Sequence, residues 1–253
     1  MTDGKLARAQ RQPPFNAPQG GHDEYDVWTQ VDRWALQRLH PNTSPYYKAI
    51  DDAMQLSKDR GLPDIEVSPL QGKFLVTQCQ LIDAKRVLEV GTLGGTSSIW
   101  MALSGPDVKV TTIEIDAKHK AVADEAIAHA DLSDRIEVLL GPGVEVLPRL
   151  RAEVKNGTRP PFDLTFIDAD KQNNTNYFNE AIRMSRSRAC IIVDNVIRRG
   201  RLADDEAAKE DDRVAGARKV VEAAGNDEKL MGHTLIQTVG EKNYDGFLLT
   251  VVK

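Results

Sequence analysis

The feature that most constrains this chain is a set of short apolar runs spaced by helix-length segments. The runs cover residues 86–90, 108–115, 136–140, 164–167 and 189–193. Short apolar runs rich in β-branched residues read as buried strands. The intervening stretches around 97–103, 118–130, 145–154 and 174–186 carry helical patterning. Strands alternating with helices imply an α/β chain with a parallel sheet and right-handed crossovers. The end of the chain breaks the alternation. Residues 234–239 and 246–252 are strand-like and flank Glu241-Lys242-Asn243-Tyr244-Asp245, which reads as a hairpin loop. A closing antiparallel hairpin departs from the plain dinucleotide-binding layout. No internal repeat or interdomain linker is visible.

Two of the runs end in acids. Phe162-Asp163-Leu164-Thr165-Phe166-Ile167 leads into Asp168-Ala169-Asp170-Lys171, and Cys190-Ile191-Ile192-Val193 leads into Asp194-Asn195. Open α/β sheets bind ligands in the crevice beyond the carboxyl ends of their strands. Asp168, Asp194 and Asn195 are therefore expected at one edge as hard oxygen donors, with Lys171 beside them. Such a set suits a small divalent cation and a proton transfer. Taken singly, Asp168 and Asp194 could be helix caps; the set favours the cation. Asp170 reads as the cap of the next helix.

Another ligand is indicated upstream. The first strand, Val87-Leu88-Glu89-Val90-Gly91, turns through Thr92-Leu93-Gly94-Gly95-Thr96-Ser97. Its Gly-x-x-Gly-Gly spacing lacks the Gly-x-Gly-x-x-Gly dinucleotide fingerprint. The second strand ends Glu114-Ile115-Asp116, where an acid commonly holds a ribose diol. Glu89 adds a carboxylate before the turn, which suits a ligand with a cationic amino-acid portion better than a pyrophosphate.

The remaining composition narrows the class. With 253 residues, the chain can bury a full core. A net charge of -5 argues against bulk nucleic-acid binding. Cys79 and Cys190 sit in apolar surroundings and read as free thiols of a reducing compartment. No apolar run reaches a membrane span and no secretory leader is apparent, so a cytoplasmic protein is expected. Residues 1–22 read as a flexible arm, and 23–253 as a single domain that is helical to about residue 83 and sheet-based from about 84. Within its helical part, Val27, Val31, Trp34, Ala35 and Leu39 form a stripe, and Ser44-Pro45 opens a second helix. A third helix follows Pro69. Trp28 and Trp34 read as core or interface packing, and the histidines as surface or packing residues. Lys209-Glu210-Asp211-Asp212-Arg213 reads as a solvated charged face, and the acid-rich stretch 204–212 as solvated surface rather than a mobile loop.

From Leu62 onward, Val67-Ser68-Pro69-Leu70-Gln71-Gly72, Leu88–Ser97, Phe166–Lys171, Val193-Asp194-Asn195-Val196 and Tyr244-Asp245-Gly246 together resemble one family. The chain is similar to class I S-adenosylmethionine-dependent O-methyltransferases, in the cation-dependent branch that includes caffeoyl-coenzyme A and catechol O-methyltransferases. The resemblance implies a Rossmann-like, doubly wound seven-stranded sheet whose last strand is antiparallel, with added N-terminal helices. It implies S-adenosyl-L-methionine as cofactor: Glu114 on the ribose, Glu89, Gly91 and Ser97 around the methionine portion, Gly143 near the adenine, Val67 as cover. It also implies Asp168, Asp194 and Asn195 as ligands of a divalent cation (Mg²⁺, with Mn²⁺ or Ca²⁺ as alternatives). Lys171 is the implied general base and Asp168 its catalytic neighbour. The implied assembly is a homodimer.

The chemistry matches these groups. A phenol titrates near pH ~10 and is little ionised at neutral pH. A cation favours the phenolate and can chelate two adjacent hydroxyls. The expected acceptor is a small vicinal dihydroxy-aromatic phenol. Plant members of the family carry a Trp where this chain has Arg198. Arg198, Arg199 and Arg201 leave two readings open: contacts to an acidic group on the acceptor, or a basic surface loop. The alternatives to the whole reading are a catalytically silent cofactor-binding scaffold and a nicotinamide-dependent oxidoreductase.

Overall fold

The computed structural model describes residues 25–44, 46–240 and 242–253. Seven strands form one sheet: β1 (Arg86–Val90), β2 (Lys109–Glu114), β3 (Ile136–Leu140), β4 (Phe162–Ile167), β5 (Ser185–Val193), β6 (Leu230–Val239) and β7 (Tyr244–Val252). Their order is β3-β2-β1-β4-β5-β7-β6. Strands β1 to β5 are parallel, whereas β7 runs antiparallel to both β5 and β6. The last strand is thus the reversed one, as expected. The order switches direction between β1 and β4, which opens a crevice at their carboxyl ends.

The central strands β1 and β4 and the second half of β5 are largely apolar and buried because both sheet faces are covered there. Side chains alternate along each strand. Val87, Val110, Leu164, Phe166, Cys190 and Ile192 join a core on one face, together with Leu75, Trp100 and Ile127. Leu88, Ile113, Ile167, Ile191 and Val193 join a second core on the other face with Leu147, Phe178 and Val220. The first face is covered by α2 (Tyr47–Asp59), α3 (Pro69–Leu81), α4 (Thr96–Ala102) and α5 (Ala117–His129). The second is covered by α6 (Gly143–Lys155), α7 (Asn174–Met184) and α9 (Asp212–Asn226), the last preceded by the short α8 (Asp205–Glu210).

Local chemistry sets several boundaries. Ser68 caps α3 by accepting from Gln71 N at 3.3 Å, with Pro69 in the first turn. Asp116 caps α5, accepting from Lys118 N and His119 N at 2.7 and 3.1 Å. Asp116, which follows β2 by two residues, is therefore the cap of the next helix. Cys79 and Cys190 are buried free thiols, as expected.

The stretch 204–212 is largely exposed, as expected, and it holds α8 and the start of α9. Val214, Ala217, Val220 and Ala224 of α9 are buried, and small residues allow the close packing. In α1 (Tyr25–Leu39), the stripe Val27, Val31, Trp34 and Leu39 is exposed; Trp34 is 60% exposed, with the Arg38 guanidinium 3.9 Å from its ring centroid. Of the two roles expected for Trp34, core packing within this chain is therefore ruled out. His40 is a packing residue, as expected, buried against Trp100 with ring centroids 4.9 Å apart. The arm at 1–22 and Pro45 lie outside the described residues.

Candidate active site

Strand register brings the acids together. Ile167 of β4 pairs with Val193 of β5, so Asp168 and Asp194, the next residue on each, leave the sheet side by side. Backbone bonds carry the ladder one step further: Asp168 N donates to Val90 O and Asp194 N to Ile167 O, both at 2.9 Å. Lys171 sits in a single 3-10 turn, Lys171–Asn173, and its buried ammonium donates to Asp168 Oδ1 at 2.7 Å. Asp194 Oδ2 accepts from Gln71 Nε2 of α3 at 2.5 Å, and Oδ1 from Asn195 N at 2.7 Å. Burial, and then the charge of Asp168, push the Asp194 carboxyl well above the ordinary carboxylate range. Two acids that repel each other in a buried site call for a compensating positive charge. Among the described residues, no group of three or more His, Cys, Asp or Glu side chains is placed to hold a metal. The structure sets the carboxylates of Asp168 and Asp194 at adjoining strand ends with Asn195 next in the chain, and hard oxygen donors of this kind fit Mg²⁺ or Ca²⁺.

Asp170 differs from its expected role. It precedes the 3-10 turn, but its carboxylate caps no backbone amide; it accepts from Tyr177 Oη and, at 2.6 Å, from Asn173 Nδ2. Burial and this bond raise the Tyr177 phenol above its usual range.

The glycine turn lies on the other side of the switch point. Gly91 adopts φ +100°, and a Cβ there would lie 2.1 Å from the Asp168 carbonyl oxygen. Its need for glycine comes from the adjoining strand end, which joins the two halves of the site. Glu89 is fully buried. Ser98 Oγ donates to its Oε2, while Oε1 has no hydrogen-bond partner. Burial raises the Glu89 carboxyl to about 7, against the opposing effect of the Ser97, Ser98 and Thr112 hydroxyls. An unpartnered buried carboxylate oxygen fits a cationic ligand group at this end. Glu114 is already engaged: Oε2 accepts from Thr92 N and Leu93 N at 3.2 and 2.8 Å, and Oε1 from Asp116 N at 2.9 Å. It fastens the turn to β2. Val67 is buried just before α3, and Gly143 opens α6 beneath the Tyr177 ring.

The loop after Asn195 is held in an uncommon shape. Asn195, Arg198 and Arg199 have φ of +54°, +55° and +56°. Left-handed backbone costs a residue with a Cβ roughly 1–2 kcal/mol. Asp245, at the start of β7, offsets this: its Oδ1 accepts from Ile197 N and Arg198 N at 3.1 Å and from Gly246 N at 3.0 Å. Burial raises the Asp245 carboxyl, against the opposing effect of the Arg198 amide and charge and the Gly246 amide.

The sequence reading assigned no role to Gln71, Ser98, Asp245 or Gly216 of α9. The first three stood in or beside quoted motifs; Gly216 gave no signal.

Comparison with known proteins agrees with this geometry. The O-methyltransferase family model matches residues 43–241. An O-methyltransferase of Aspergillus flavus, imqG, is 47% identical over 226 residues, covering 89% of this chain and 91% of the relative. A catechol O-methyltransferase of Mycobacterium tuberculosis is 44% identical over 206 residues, covering 81% and 89%. The crystal structure of a Bacillus cereus O-methyltransferase in complex with SAH superposes with a TM-score of 0.83 at 39% identity, covering 90% of this chain and all of that one. A seven-stranded sheet with a reversed last strand, acids at the switch point, and this extent of similarity lead to one conclusion: the chain belongs to the O-methyltransferase family, enzymes that depend on S-adenosylmethionine.

Proposed function

We propose that this enzyme moves the methyl group of S-adenosylmethionine to one hydroxyl of a small vicinal dihydroxy-aromatic acceptor in a divalent-cation-dependent reaction. The observation that carries the reading is the parallel register of Ile167 and Val193, which sets Asp168 and Asp194 side by side with Lys171 on Asp168. Relatives named catechol O-methyltransferase, at 44% and 43% identity, support the acceptor class.

In this reading Asp168, Asp194 and Asn195 would hold the cation, Mg²⁺ before Mn²⁺ or Ca²⁺. When bound, the cation supplies positive charge that favours the ionised phenol and a template for two adjacent oxygens. Lys171 Nζ, its ammonium form disfavoured beside a bound cation, loses that proton to solvent as the site fills and then takes the proton of the reacting hydroxyl. The oxygen–carbon bond then forms as the sulfur–carbon bond breaks, leaving the thioether. Glu114 would take the ribose hydroxyls, and Glu89, Gly91 and Ser97 the methionine portion. Gly143 would adjoin the adenine and Val67 would cover the cofactor. The solved relatives support the cofactor: the Bacillus cereus structure is a complex with SAH, and that of TomG from Streptomyces achromogenes, 34% identical, is a complex with SAM. Gln71 orients Asp194 in the same arrangement.

The proposal extends to residues 23–253 as one domain preceded by an arm, to a homodimer and to a cytoplasmic location. The exposed apolar stripe of α1 supports the dimer, which sedimentation tests directly. Buried free thiols suit a reducing compartment, and among the described residues no helix is long and apolar enough to cross a membrane.

The test is methyl transfer to simple catechols with Mg²⁺ and with EDTA. Transfer abolished by EDTA and restored by Mg²⁺ is the expected result. Full transfer in EDTA, or by the Asp168→Ala/Asp194→Ala double variant, rules out the cation role. Cofactor binding without transfer to any catechol rules out the acceptor class.

A further inference from the structure

Among the described residues, half-buried arginines are hydrogen-bonded to an acceptor, with one exception. Arg135, Arg151, Arg159, Arg186 and Arg218 each donate to a carboxylate or a backbone carbonyl. Arg198 is also half-buried, yet its Nε is buried without a hydrogen-bond partner and no ion pair engages its guanidinium among the described residues. A partly desolvated cation without an anion is costly, so folded chains pair such groups.

The location is as telling as the missing partner. Arg198 follows Asn195 by three residues in the loop that leaves β5 at the site. That loop is pinned in left-handed backbone by Asp245, whose Oδ1 is turned to the amides of Ile197, Arg198 and Gly246. Asp245 holds the Arg198 amide at 3.1 Å, and Asp194 holds the Asn195 amide at 2.7 Å, so the backbone that carries Arg198 is anchored at the same strand end as the proposed metal donors. The other basic residues of the loop are unsuited: Arg201 is paired with Asp211 at 2.8 Å, and Arg199 is exposed.

We infer that Arg198 binds a carboxylate carried by the aromatic acceptor, so that the enzyme prefers dihydroxy-aromatic acids to neutral catechols. This rests on the acceptor reading above. A planar guanidinium matches a carboxylate through two parallel N–H donors, which neither a lysine nor a neutral side chain reproduces. A singly charged carboxylate is also the better match for one arginine whose surroundings already contain Asp245.

The experiment compares kcat/KM for 3,4-dihydroxybenzoate with that for its methyl ester, and likewise for 3,4-dihydroxycinnamate and its ester, which places the charge farther from the ring. In the unaltered enzyme at least one acid is expected to exceed its ester by about tenfold or more, the usual worth of a charged hydrogen bond. Arg198→Met is expected to bring that ratio to within about twofold of unity, and Arg198→Lys to keep part of it. Each ratio is internal to one preparation, so loss of folded protein lowers both rates and leaves the ratio readable. Equal use of acid and ester by the unaltered enzyme, or a preference that survives in Arg198→Met, overturns the inference and leaves the catechol reading standing. No transfer to acids or esters overturns both.

Discussion

A Cβ added at Gly216 of α9 would lie 2.0 Å from the carbonyl oxygen of Lys171. The helix therefore rests directly on the backbone of the proposed base, whose ammonium is held at the other end by Asp168. Two effects oppose each other in Gly216→Ala. Replacing a helical glycine gains about 1 kcal/mol in helix propensity. Forcing a methyl group into packed backbone costs about 1–3 kcal/mol, and the Lys171 turn has to move. The overlap wins. Gly216→Ala is expected to lower the melting temperature and to reduce kcat by about tenfold to a hundredfold with little change in cofactor KM. Unaltered kcat in the variant would show that Lys171 does not depend on this contact.

Removing the base itself is more severe. Lys171→Met keeps the stem and deletes the amine. General-base contributions of about 10² to 10⁴ in rate set the expected loss in kcat. Equilibrium binding of S-adenosylmethionine, followed by calorimetry, should persist. Loss of binding together with rate would reassign Lys171 to the cofactor pocket.

Gln71 tests the support of Asp194. Gln71→Leu removes the donor to a buried carboxylate, which costs about 1–3 kcal/mol. The half-concentration for Mg²⁺ activation is expected to rise. A variant with unchanged metal response would assign Gln71 a purely structural part.

Glu89 predicts a pH dependence of stability. Its carboxyl titrates near 4.5 in the unfolded chain and is raised by burial to about 7 in the fold. Between those values the folded state binds more protons, so stability contributed by this group is full below 4.5 and is lost as pH rises through about 7. The loss is on the order of 3 kcal/mol. Urea unfolding of the ligand-free protein at pH 5 and pH 8 measures it. Glu89→Gln should flatten the decline; the same decline in both proteins would remove Glu89 as its source. Asp194, also raised, acts in the same direction and accounts for any residual slope.

Asp245 should control the acceptor loop. Asp245→Ala leaves the amides of Ile197, Arg198 and Gly246 without their acceptor and releases the left-handed residues. Faster hydrogen exchange at Ile197 and Arg198 is the expected signature, with a raised acceptor KM. Asp245→Asn, which can still accept, should be milder. Unchanged exchange in the alanine variant would mean that the loop holds its shape by packing alone.

Strand identity was legible for β1, β4 and the second half of β5 because both sheet faces are covered there, so each reads as a largely apolar run. The ends of the strands exposed Asp168, Asp194, Glu89 and Glu114, since an acid closing a buried strand is chemically out of place. The helix α9 was not legible. Its core side is valine, alanine and glycine behind a charged start, and small residues carry little hydrophobic signal.

Partnership at a distance was decided only by the tertiary structure. Gln71 and Asp194 stand 123 residues apart and Asp245 and Arg198 stand 47 apart, and no local pattern links either pair. The sheet order places β1 beside β4 and β5 beside β7, and this brings Gly91 against Asp168 and Asp245 under the loop of Arg198. The sequence by itself determined which groups could do chemistry, through residue type and strand-end position. Which of them are oriented, buried or left without a partner followed from packing, because hydrogen bonding and desolvation depend on neighbours that only folding supplies.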